Sequence, residues 1–482
     1  MISHPIKHKL RQLLLTICGV LSLSVLAGQA LVDATKIAEI SRDSLVKIFS
    51  VQPENGIHAY KVLYLTTGAD GQPDTASGLV TFPDVVSDRG LLAYQHGTTD
   101  GPEDVPSRLN AEALLSYAYA GFGYIVTAAD YIGMGDSRGL HPYLHAETEA
   151  SAGIDLLLAA RTLAGQLEFS LPDQIFVSGY SQGGHAAMAM ARAIQERPTD
   201  DLWLTAAAPM SGPYDISGTM RDLVLFSDRS YLFPSYIVYF ILGYQEVYGD
   251  IFENLEQIFK APYVQMIDRF RTGAIGLSEL NDQLKAAMLL NERSLIPRRM
   301  LNEAYLMPVL TDSLHPLNLA LRDNDTYRWS PEMPMRLYYC MADEQVAFEN
   351  SLIAEAYMRD AGAADVQALD LVSSADHGEC VLPAVLSSIA FFNSFPITTS
   401  SETASNAELH IYPNPATDVI SFGTEASAIR SLTIFNTYGQ IIENFINLNA
   451  SEINIAHLPN GQYFLRGTSK EGPFTGRFLV VE

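Results

Sequence analysis

The sequence predicts an α/β protein whose mostly parallel sheet carries a helical insertion and is followed by a small all-β domain. Short apolar runs alternate with helical stretches between residues 91 and 209, which is typical of parallel strands covered by helices on both faces. Residues 212–330 are helical and aromatic and interrupt this alternation, so they form an insertion. Beyond residue 406, short strand-like runs separated by turn residues predict a β-sandwich.

Composition and charge limit the function classes. The chain has 482 residues, 48% of them hydrophobic and 18% charged, so two or three domains with a sizeable core are expected. The formal net charge is −25. This charge repels phosphates and argues against nucleic acid as a partner.

The first thirty residues have the pattern of a secretory signal peptide. Lys7 and Arg11 lie in a basic segment, an apolar run follows over 13–26, and Gly28 and Ala30 are small residues at the cleavage positions. The apolar run is shorter than the roughly 20 residues that span a bilayer. We therefore predict export and removal of residues 1–30, and a retained membrane anchor is the alternative.

The elements of the first predicted domain, 31–396, follow in order. A helix is predicted over 34–49 and a hairpin over 60–66 and 76–82, joined by a Gly/Asp/Pro turn. Strands over 91–95, 124–128, 174–178 and 203–209 alternate with helices over 111–121, 147–163 and 184–197. After the insertion come strands over 335–339 and 366–372, a helix over 351–360, a loop over 374–380 and a closing helix to about 395.

One pentapeptide, Gly179-Tyr180-Ser181-Gln182-Gly183, lies between a predicted strand and a predicted helix. That context is the one in which G-x-S-x-G forms a sharp turn that exposes a nucleophilic serine. The residues two before and two after the serine must be small, as Gly179 and Gly183 are. We predict Ser181 as a nucleophile, and a Gly/Ser-rich loop without chemistry is the alternative.

A serine nucleophile needs a base, for which histidine suits because its pKa lies near neutrality. His377 follows the last predicted strand and precedes Gly378, so we predict it as the base, with His315 in the insertion as a remote second choice. His185 lies just after the serine on the helix, where its ring would point away from the hydroxyl.

The histidine needs a carboxylate that fixes its tautomer. Asp343 follows the preceding strand, and Glu344 is the near alternative. Asp376 adjoins His377 and is expected to serve loop structure. The chain order Ser181, Asp343, His377 is the order found in α/β hydrolases.

An oxyanion hole needs two backbone N–H groups. We assign them to Gln182, directly after the serine, and to Thr98, in the loop after the strand 91–95. His96 is expected to organise that loop and Asp130 to support the elbow.

His141 and His145 could suggest a metal pair, but Pro142 separates them and no third ligand is evident. We therefore predict neither metal nor cofactor.

Two cysteines, Cys340 and Cys380, remain after removal of the signal segment that contains Cys18. Exported chains fold in oxidising surroundings. Cys340 lies three residues before Asp343, and Cys380 three after His377. If acid and base meet, the cysteines are neighbours, so we predict one disulfide; two buried free thiols are the alternative.

The motifs around 96–98, 130–135, 179–185, 343–346 and 376–378 together resemble α/β hydrolases, and within them the secretory lipase and esterase group. The resemblance covers about 34–396 and implies a carboxylic ester hydrolase with a helical cap, here 212–330. The aromatic residues of this cap are expected to form its core and in part to line a pocket, which favours an apolar or aromatic ester substrate.

The last segment, 407–482, resembles the C-terminal sorting domain of the type IX secretion system of Bacteroidetes. The resemblance rests on residues 412–418, 434–440 and 458–464. It implies recognition by that machinery and secretion or attachment at the outer cell surface. The usual basic ending is replaced by Val481-Glu482. A carbohydrate-binding accessory sandwich is the alternative. A Ser/Thr-rich linker is predicted over 397–406.

Three functions therefore stand as hypotheses. The first is a secreted serine esterase or lipase that needs no cofactor. The second is a serine peptidase of the same fold, which would be favoured by a carboxylate pair in the cap for a free amine. The third is a surface-binding protein without catalysis, against which the complete set Ser181, Asp343 and His377 argues.

Overall fold

Two units make up the chain, 1–398 and 399–482, and each is described by itself. The computed structural model describes residues 30–49, 52–85, 89–169, 171, 173–196, 202–396, 407–408, 411–422, 429–436, 441–446, 452–469 and 472–481. The predicted signal segment, apart from Ala30, lies outside these residues, as do the predicted linker 397–406 and Glu482.

A nine-stranded sheet forms the centre of the first unit, in the order β1-β2-β3-β5-β4-β6-β7-β8-β9. Strands β1 to β3 and the β3–β5 pair are antiparallel, and the strands from β5 to β9 are parallel. The strands are β1 (Leu31–Ile40), β2 (Ile57–Thr67), β3 (Pro73–Pro83), β4 (Leu91–Gln95), β5 (Ile125–Ala129), β6 (Ile175–Tyr180), β7 (Ala206–Met210), β8 (Met335–Tyr339) and β9 (Val366–Asp370).

The prediction of one helix over 34–49 is wrong in its first half. Residues Leu31–Ile40 form strand β1, which pairs antiparallel with β2, and only Arg42–Phe49 is helical, as α1. The segment has helix-compatible residues, but pairing with an open sheet edge supplies backbone hydrogen bonds that local propensity does not account for. Only the tertiary context therefore distinguishes the two conformations.

Helices cover both faces of the sheet, as predicted. Helices α3 (Ala146–Gln166) and α4 (Gln182–Glu196) pack on one face, and α1, α2 (Ala113–Gly121) and α12 (His377–Asn393) pack on the other. Helix α11 (Glu349–Asp360) packs beside β8 and β9. Alanines on α3 and α4 are fully buried, which lets the two helices lie close to the strands.

The insertion between β7 and β8 is helical and has its own apolar core. We call residues 212–330 the cap. The cap begins with two π-helical turns, Ile216–Met220 and Asp222–Phe226. Its helices are α5 (Pro234–Tyr248), α6 (Leu255–Ile258), α7 (Ala261–Arg271), α8 (Leu277–Asn291), α9 (Glu303–Thr311) and α10 (Pro316–Asp323).

The second unit consists of two small, largely antiparallel sheets, β10-β17-β16-β13-β14 and β11-β12-β15. Apolar residues of both sheets form one buried cluster, as in the predicted β-sandwich. The strands are β10 (Ala407–Glu408), β11 (Ile411–Tyr412), β12 (Val419–Phe422), β13 (Ile429–Asn436), β14 (Ile441–Ile446), β15 (Glu452–Asn454), β16 (Gly461–Ser469) and β17 (Gly472–Val480).

Candidate active site

Ser181 lies in the turn between β6 and α4. Its backbone φ of 60° is in the left-handed region, which residues with a Cβ rarely adopt. The turn is held because the N–H of Ser181 donates to the carbonyl oxygen of Met210, at the end of β7, at 3.0 Å. The side chain is half-buried at the carboxyl ends of the parallel strands, where ligands bind in open α/β sheets.

The two elbow glycines are required by close approach of backbone segments. A Cβ on Gly179 would lie 2.2 Å from the carbonyl oxygen of Gly183, and a Cβ on Gly183 would lie 1.9 Å from that of Gln95. Neither distance is compatible with a side chain at these positions. The sequence therefore specifies glycine on both sides of Ser181 so that β4, β6 and α4 can meet.

The structure brings His377 and Asp343 together. The His377 Nδ1 lies 2.7 Å from Oδ2 of Asp343, and both side chains are buried. The other carboxylate oxygen, Oδ1, accepts the backbone N–H groups of Gln345 at 2.9 Å and Val346 at 2.8 Å. Because a carboxylate only accepts hydrogen bonds, the His377 Nδ1 carries the proton. The lone pair of Nε2 can then accept a second proton.

Glu344 and Asp376 position His377 through its backbone. Oε2 of Glu344 accepts the N–H of His377 at 3.1 Å. Asp376 caps helix α12 in a reciprocal capping box with Glu379. His377 is the first residue of α12. The loop predicted over 374–380 is therefore shorter in the structure. The capping box satisfies free N–H groups of the first turn, which fixes the position of the histidine at the start of the helix.

The loop that carries Thr98, one of the two predicted oxyanion donors, lies close to Ser181. A Cβ on Gly97 would lie 3.8 Å from the Ser181 Cβ, so the loop after β4 passes directly over the serine. The N–H of Gly97 donates to Glu112 at 3.2 Å. The N–H groups of Thr98 and Gln182, in contrast, have no acceptor within the described part of the chain. They are therefore free to bind a negative oxygen.

A disulfide joins Cys340, directly after β8, to Cys380, in the first turn of α12. The predicted pairing is confirmed. The bond links the segments that carry Asp343 and His377, and both cysteines are fully buried.

Removing this bond by the double change Cys340→Ala, Cys380→Ala is expected to lower the free energy of unfolding by about 2–4 kcal/mol, because the unfolded chain gains the freedom of the closed loop. Urea unfolding of the oxidised protein and the variant measures this difference. Wild type in reductant is the control and should approach the variant. Equal stability of all three would contradict the prediction.

A buried polar cluster supports the elbow from behind. Glu149 on α3 is fully buried. Its Oε2 lies 2.6 Å from His185 Nδ1 and its Oε1 accepts the side-chain amide of Gln182 at 2.9 Å. His185 Nε2 donates to the carbonyl oxygen of Asn324 at 2.9 Å. This cluster fixes the side chain of Gln182, whose backbone N–H is one of the two predicted oxyanion donors.

The amide of Gln182 also contacts His141, whose Nε2 lies 2.8 Å from Gln182 Nε2. His141 Nδ1 donates to the carbonyl oxygen of Ile132 at 2.8 Å, so Nε2 is the acceptor. Burial lowers the pKa of His141 to about 4. Sequence reasoning missed Glu149 and this role of His141. The one feature of the sequence that could have pointed to Glu149 is its position directly before the small residues 150–153.

Acid is expected to destabilise the protein through His141. Burial lowers its pKa from the ordinary value of 6.5 to about 4 in the folded chain, so between these values the unfolded chain binds the extra proton. The free energy of unfolding should then fall as pH drops through this window, by up to about 1.4 kcal/mol per pH unit. Urea unfolding at several pH values tests this against His141→Gln, whose slope should be shallower than that of wild type.

The comparison with the variant isolates His141 because the other shifted groups are present in both proteins. Burial also lowers the pKa of His145 to about 4, which adds to the slope, and Asp155 acts in the opposite sense. Burial raises the pKa of Asp155 to about 6, so this group stabilises the folded chain as the pH falls. Identical pH slopes for wild type and His141→Gln would contradict the assignment.

The remaining polar candidates have structural partners. His96 Nδ1 lies 2.8 Å from the carbonyl oxygen of Gly97, and the buried Asp130 accepts from Ser77 and Ser107. His145 and His315 cap helices α3 and α10. Within the part of the chain that the structure describes, no group of His, Cys, Asp and Glu side chains could hold a metal ion.

A narrow cavity extends from Ser181 into the cap. It contains ≈ 630 Å³ of unfilled space, a figure that includes open solvent at its entrance. Its walls are mostly apolar and come largely from the cap. The lining residues are Tyr143, Leu144, Ser181, Gln182, Pro213, Ile216, Met220, Arg221, Val224, Leu225, Tyr231, Tyr236, Ile237, Phe240, Leu321, Gln345 and Val346.

The cap is hydrogen-bonded to the segments around Ser181. Tyr231 donates to the carbonyl oxygen of Gln345 at 2.9 Å, and Tyr236 to its side-chain oxygen at 2.8 Å. The Thr98 hydroxyl lies 2.8 Å from that of Tyr143, whose ring stacks on Tyr239 of α5 at 4.5 Å. The cap aromatics therefore both fill the cap core and line the cavity.

The sheet order, the elbow at the end of β6 and the inserted cap define an esterase/lipase-like α/β-hydrolase fold. Solved structures agree with this class. A rice cell wall degrading esterase, LipA, from Xanthomonas oryzae is 26% identical with a TM-score of 0.66, over 75% of this chain and 96% of LipA. A protein from Legionella pneumophila is 26% identical with a TM-score of 0.68, over 78% of this chain and 100% of that one.

Candida antarctica lipase A shares the fold at 15% identity, with a TM-score of 0.54, over 73% of this chain and 78% of the lipase. No curated protein matches the sequence.

Residues 410–482 match the secretion system C-terminal sorting domain, which confirms the predicted sorting domain and implies secretion or attachment at the outer surface. No helix in the described ranges combines the length and apolar character that a bilayer-spanning segment requires.

Proposed function

We propose that the protein is a secreted serine carboxylic ester hydrolase that acts through an acyl-enzyme on Ser181. The observation that carries this proposal is the position of Ser181, in a left-handed turn at the mouth of an apolar cavity. The hydrogen-bonded His377–Asp343 pair, held by the neighbouring segments, supports the assignment of base and acid.

The proposed reaction begins when the Ser181 hydroxyl attacks the ester carbonyl carbon and His377 Nε2 takes its proton. Asp343 holds the imidazole in the correct tautomer and stabilises its positive charge. The backbone N–H groups of Thr98 and Gln182 bind the oxygen that becomes negative. The alcohol leaves with the proton from His377. Water then attacks the acyl-enzyme, gives its proton to His377 and releases the acid.

Three features favour an ester with an apolar acyl group. The cavity walls offer few polar groups, and burying an apolar acyl chain there contributes about 25 cal/mol per Å². The X. oryzae relative is described as an esterase. The sorting domain implies that the substrate is met outside the cell, after export directed by the predicted signal peptide, 1–30, with 31–396 as the hydrolytic domain.

The proposal is tested by assaying the purified mature chain with nitrophenyl esters of increasing acyl length beside peptide anilides. We expect ester hydrolysis that a serine-directed phosphonate abolishes, with mass spectrometry placing the label on Ser181. Cleavage of anilides but not esters would favour a serine peptidase. Absence of hydrolysis and of labelling would leave a binding protein.

A further inference from the structure

Gln182, the residue directly after the nucleophile, is held at both ends of its side chain. It is the first residue of α4 and is only 2% exposed. Its side-chain amide donates one hydrogen to Oε1 of Glu149 at 2.9 Å and the other to Nε2 of His141 at 2.8 Å. Both donors of the amide are therefore paired, so the side chain has one fixed orientation.

The backbone around the nucleophile needs such support. Ser181 has a φ of 60°, and a residue with a Cβ keeps that conformation only where its surroundings impose it. The N–H of Ser181 donates to Met210, which holds the turn on the side of the strand. On the side of the helix, the Glu149 carboxylate holds the turn through the side chain of Gln182.

Glu149 is itself fixed by the cap and by its own helix. Its second oxygen, Oε2, lies 2.6 Å from Nδ1 of His185, whose Nε2 donates to the carbonyl oxygen of Asn324 at 2.9 Å. The Asn324 side chain accepts the N–H of Ala146, the first residue of α3, at 2.8 Å. These hydrogen bonds therefore connect the cap, α3 and α4 around the carboxylate.

Resting on the proposed ester hydrolysis, we propose that Glu149 is a positioning residue that directs the backbone N–H of Gln182 towards the oxygen that becomes negative. Glu149 does not line the cavity, so it acts through Gln182. A displaced donor weakens an interaction that is strongest in the transition state, which lowers kcat and leaves binding of the ester nearly unchanged. Position 149 then requires a hydrogen-bond acceptor for Gln182, and a negative charge is not needed.

Glu149→Leu removes the acceptor. On the mature full-length chain, we expect kcat for nitrophenyl butyrate to fall about 10- to 100-fold, because the N–H of Gln182 is displaced but still present. KM should stay within about threefold of wild type, since acylation and deacylation both develop a negative oxygen and slow together. Steady-state kinetics with Ser181→Ala as the blank measures both constants.

Glu149→Gln is the conservative variant that should restore activity. The glutamine keeps an oxygen for the amide of Gln182, and its own amide donates to Nδ1 of a neutral His185, so each hydrogen bond of the set has a replacement. We expect kcat within about threefold of wild type. This result distinguishes a requirement for an acceptor from a requirement for charge.

A trifluoromethyl ketone inhibitor reports on the oxyanion site without a leaving group. The Ser181 oxygen bonds to the carbonyl carbon, the hydroxyl proton passes to His377, and the electron pair of the carbonyl double bond moves to its oxygen. The inhibition constant should rise in Glu149→Leu in proportion to the loss of kcat/KM. A residue that only stabilises the fold would leave this constant unchanged in the folded protein.

Two further variants make the result specific. Gln182→Met keeps the backbone N–H and removes the amide, so it should lower kcat as much as Glu149→Leu, and the double variant should lose no more than either single variant. Gln182→Met also provides the test if Glu149→Leu does not fold. Asp155→Leu removes an acid from another face of α3 and should keep the wild-type kcat. Thermal unfolding verifies that each variant is folded.

The outcomes separate this inference from the proposed function. If folded Glu149→Leu or Gln182→Met keeps the wild-type kcat, the inference on Glu149 is wrong and the esterase proposal stands. The same holds if Glu149→Gln loses as much activity as Glu149→Leu, or if the inhibition constant for the ketone does not rise. If the wild type hydrolyses the ester no faster than Ser181→Ala, the proposed function itself is wrong.

Discussion

Replacing Ser181 with alanine is expected to lower kcat/KM for a nitrophenyl ester by roughly 10⁴-fold or more while the fold is retained. The hydroxyl is the proposed attacking group, and nothing else in the described lining of the cavity replaces it. The backbone already holds a residue with a Cβ at a φ of 60°, so alanine meets the same strain as serine. The free energy of unfolding should stay within about 1 kcal/mol of wild type.

A double variant makes this prediction sharper. If Ser181 and His377 act as one unit, adding His377→Ala to Ser181→Ala should cause no further loss, because residues that act together are non-additive. Asp343→Asn should lower kcat strongly on its own, because an amide does not hold the same imidazole tautomer. Steady-state kinetics of the variants measures these effects. Near-wild-type activity of Ser181→Ala would refute the mechanism.

Replacing Gly183 with alanine is expected to destabilise the first unit by about 3 kcal/mol or more, or to prevent its folding. The new Cβ would lie 1.9 Å from the carbonyl oxygen of Gln95. Because β4 and β6 are paired along their length, that carbonyl cannot move without breaking the centre of the sheet. The clash is with backbone, so no side-chain rearrangement relieves it.

Gly165→Ala is the matched control for this prediction. Gly165 lies near the end of α3, and a Cβ there would meet no atom within 4 Å. The change should stabilise the unit by about 0.5–1 kcal/mol, since alanine favours the helix and restricts the unfolded chain. Urea unfolding followed by the helical circular dichroism signal reports on the first unit, because the described part of the second consists of strands. Equal stability of both variants would contradict the argument.

Several parts of the site are predictable because their constraints are local. The strand-turn-helix pattern around Ser181 predicts the elbow, and the glycines at 179 and 183 follow from the close approach of backbone segments there. The positions of Cys340 and Cys380 beside the predicted acid and base indicate a disulfide that the structure confirms. Asp343 and His377 are candidates because each follows a strand, and the structure brings their side chains within hydrogen-bonding distance.

Other parts are not predictable because they depend on partners distant in the chain. The carboxylate of Glu149 accepts from Gln182 and His185 on another helix, and no spacing rule links residues on two packed helices. Strand β1 has the local pattern of a helix. It forms a strand because β2 supplies its backbone hydrogen bonds. The sequence does not show which cap residues line the cavity, since only the folded cap brings them beside Ser181.

The sequence by itself determined the α/β class, most elements of the sheet and the candidates for nucleophile, base and acid. These follow from hydrophobic periodicity, turn chemistry and residue types that act over a few positions, whereas the sorting domain was predicted from its resemblance to a known family. Only the tertiary structure decided what supports Gln182 and how the cap tyrosines hold the segment of Asp343. Such contacts arise from packing between distant segments, whose geometry a linear pattern does not encode.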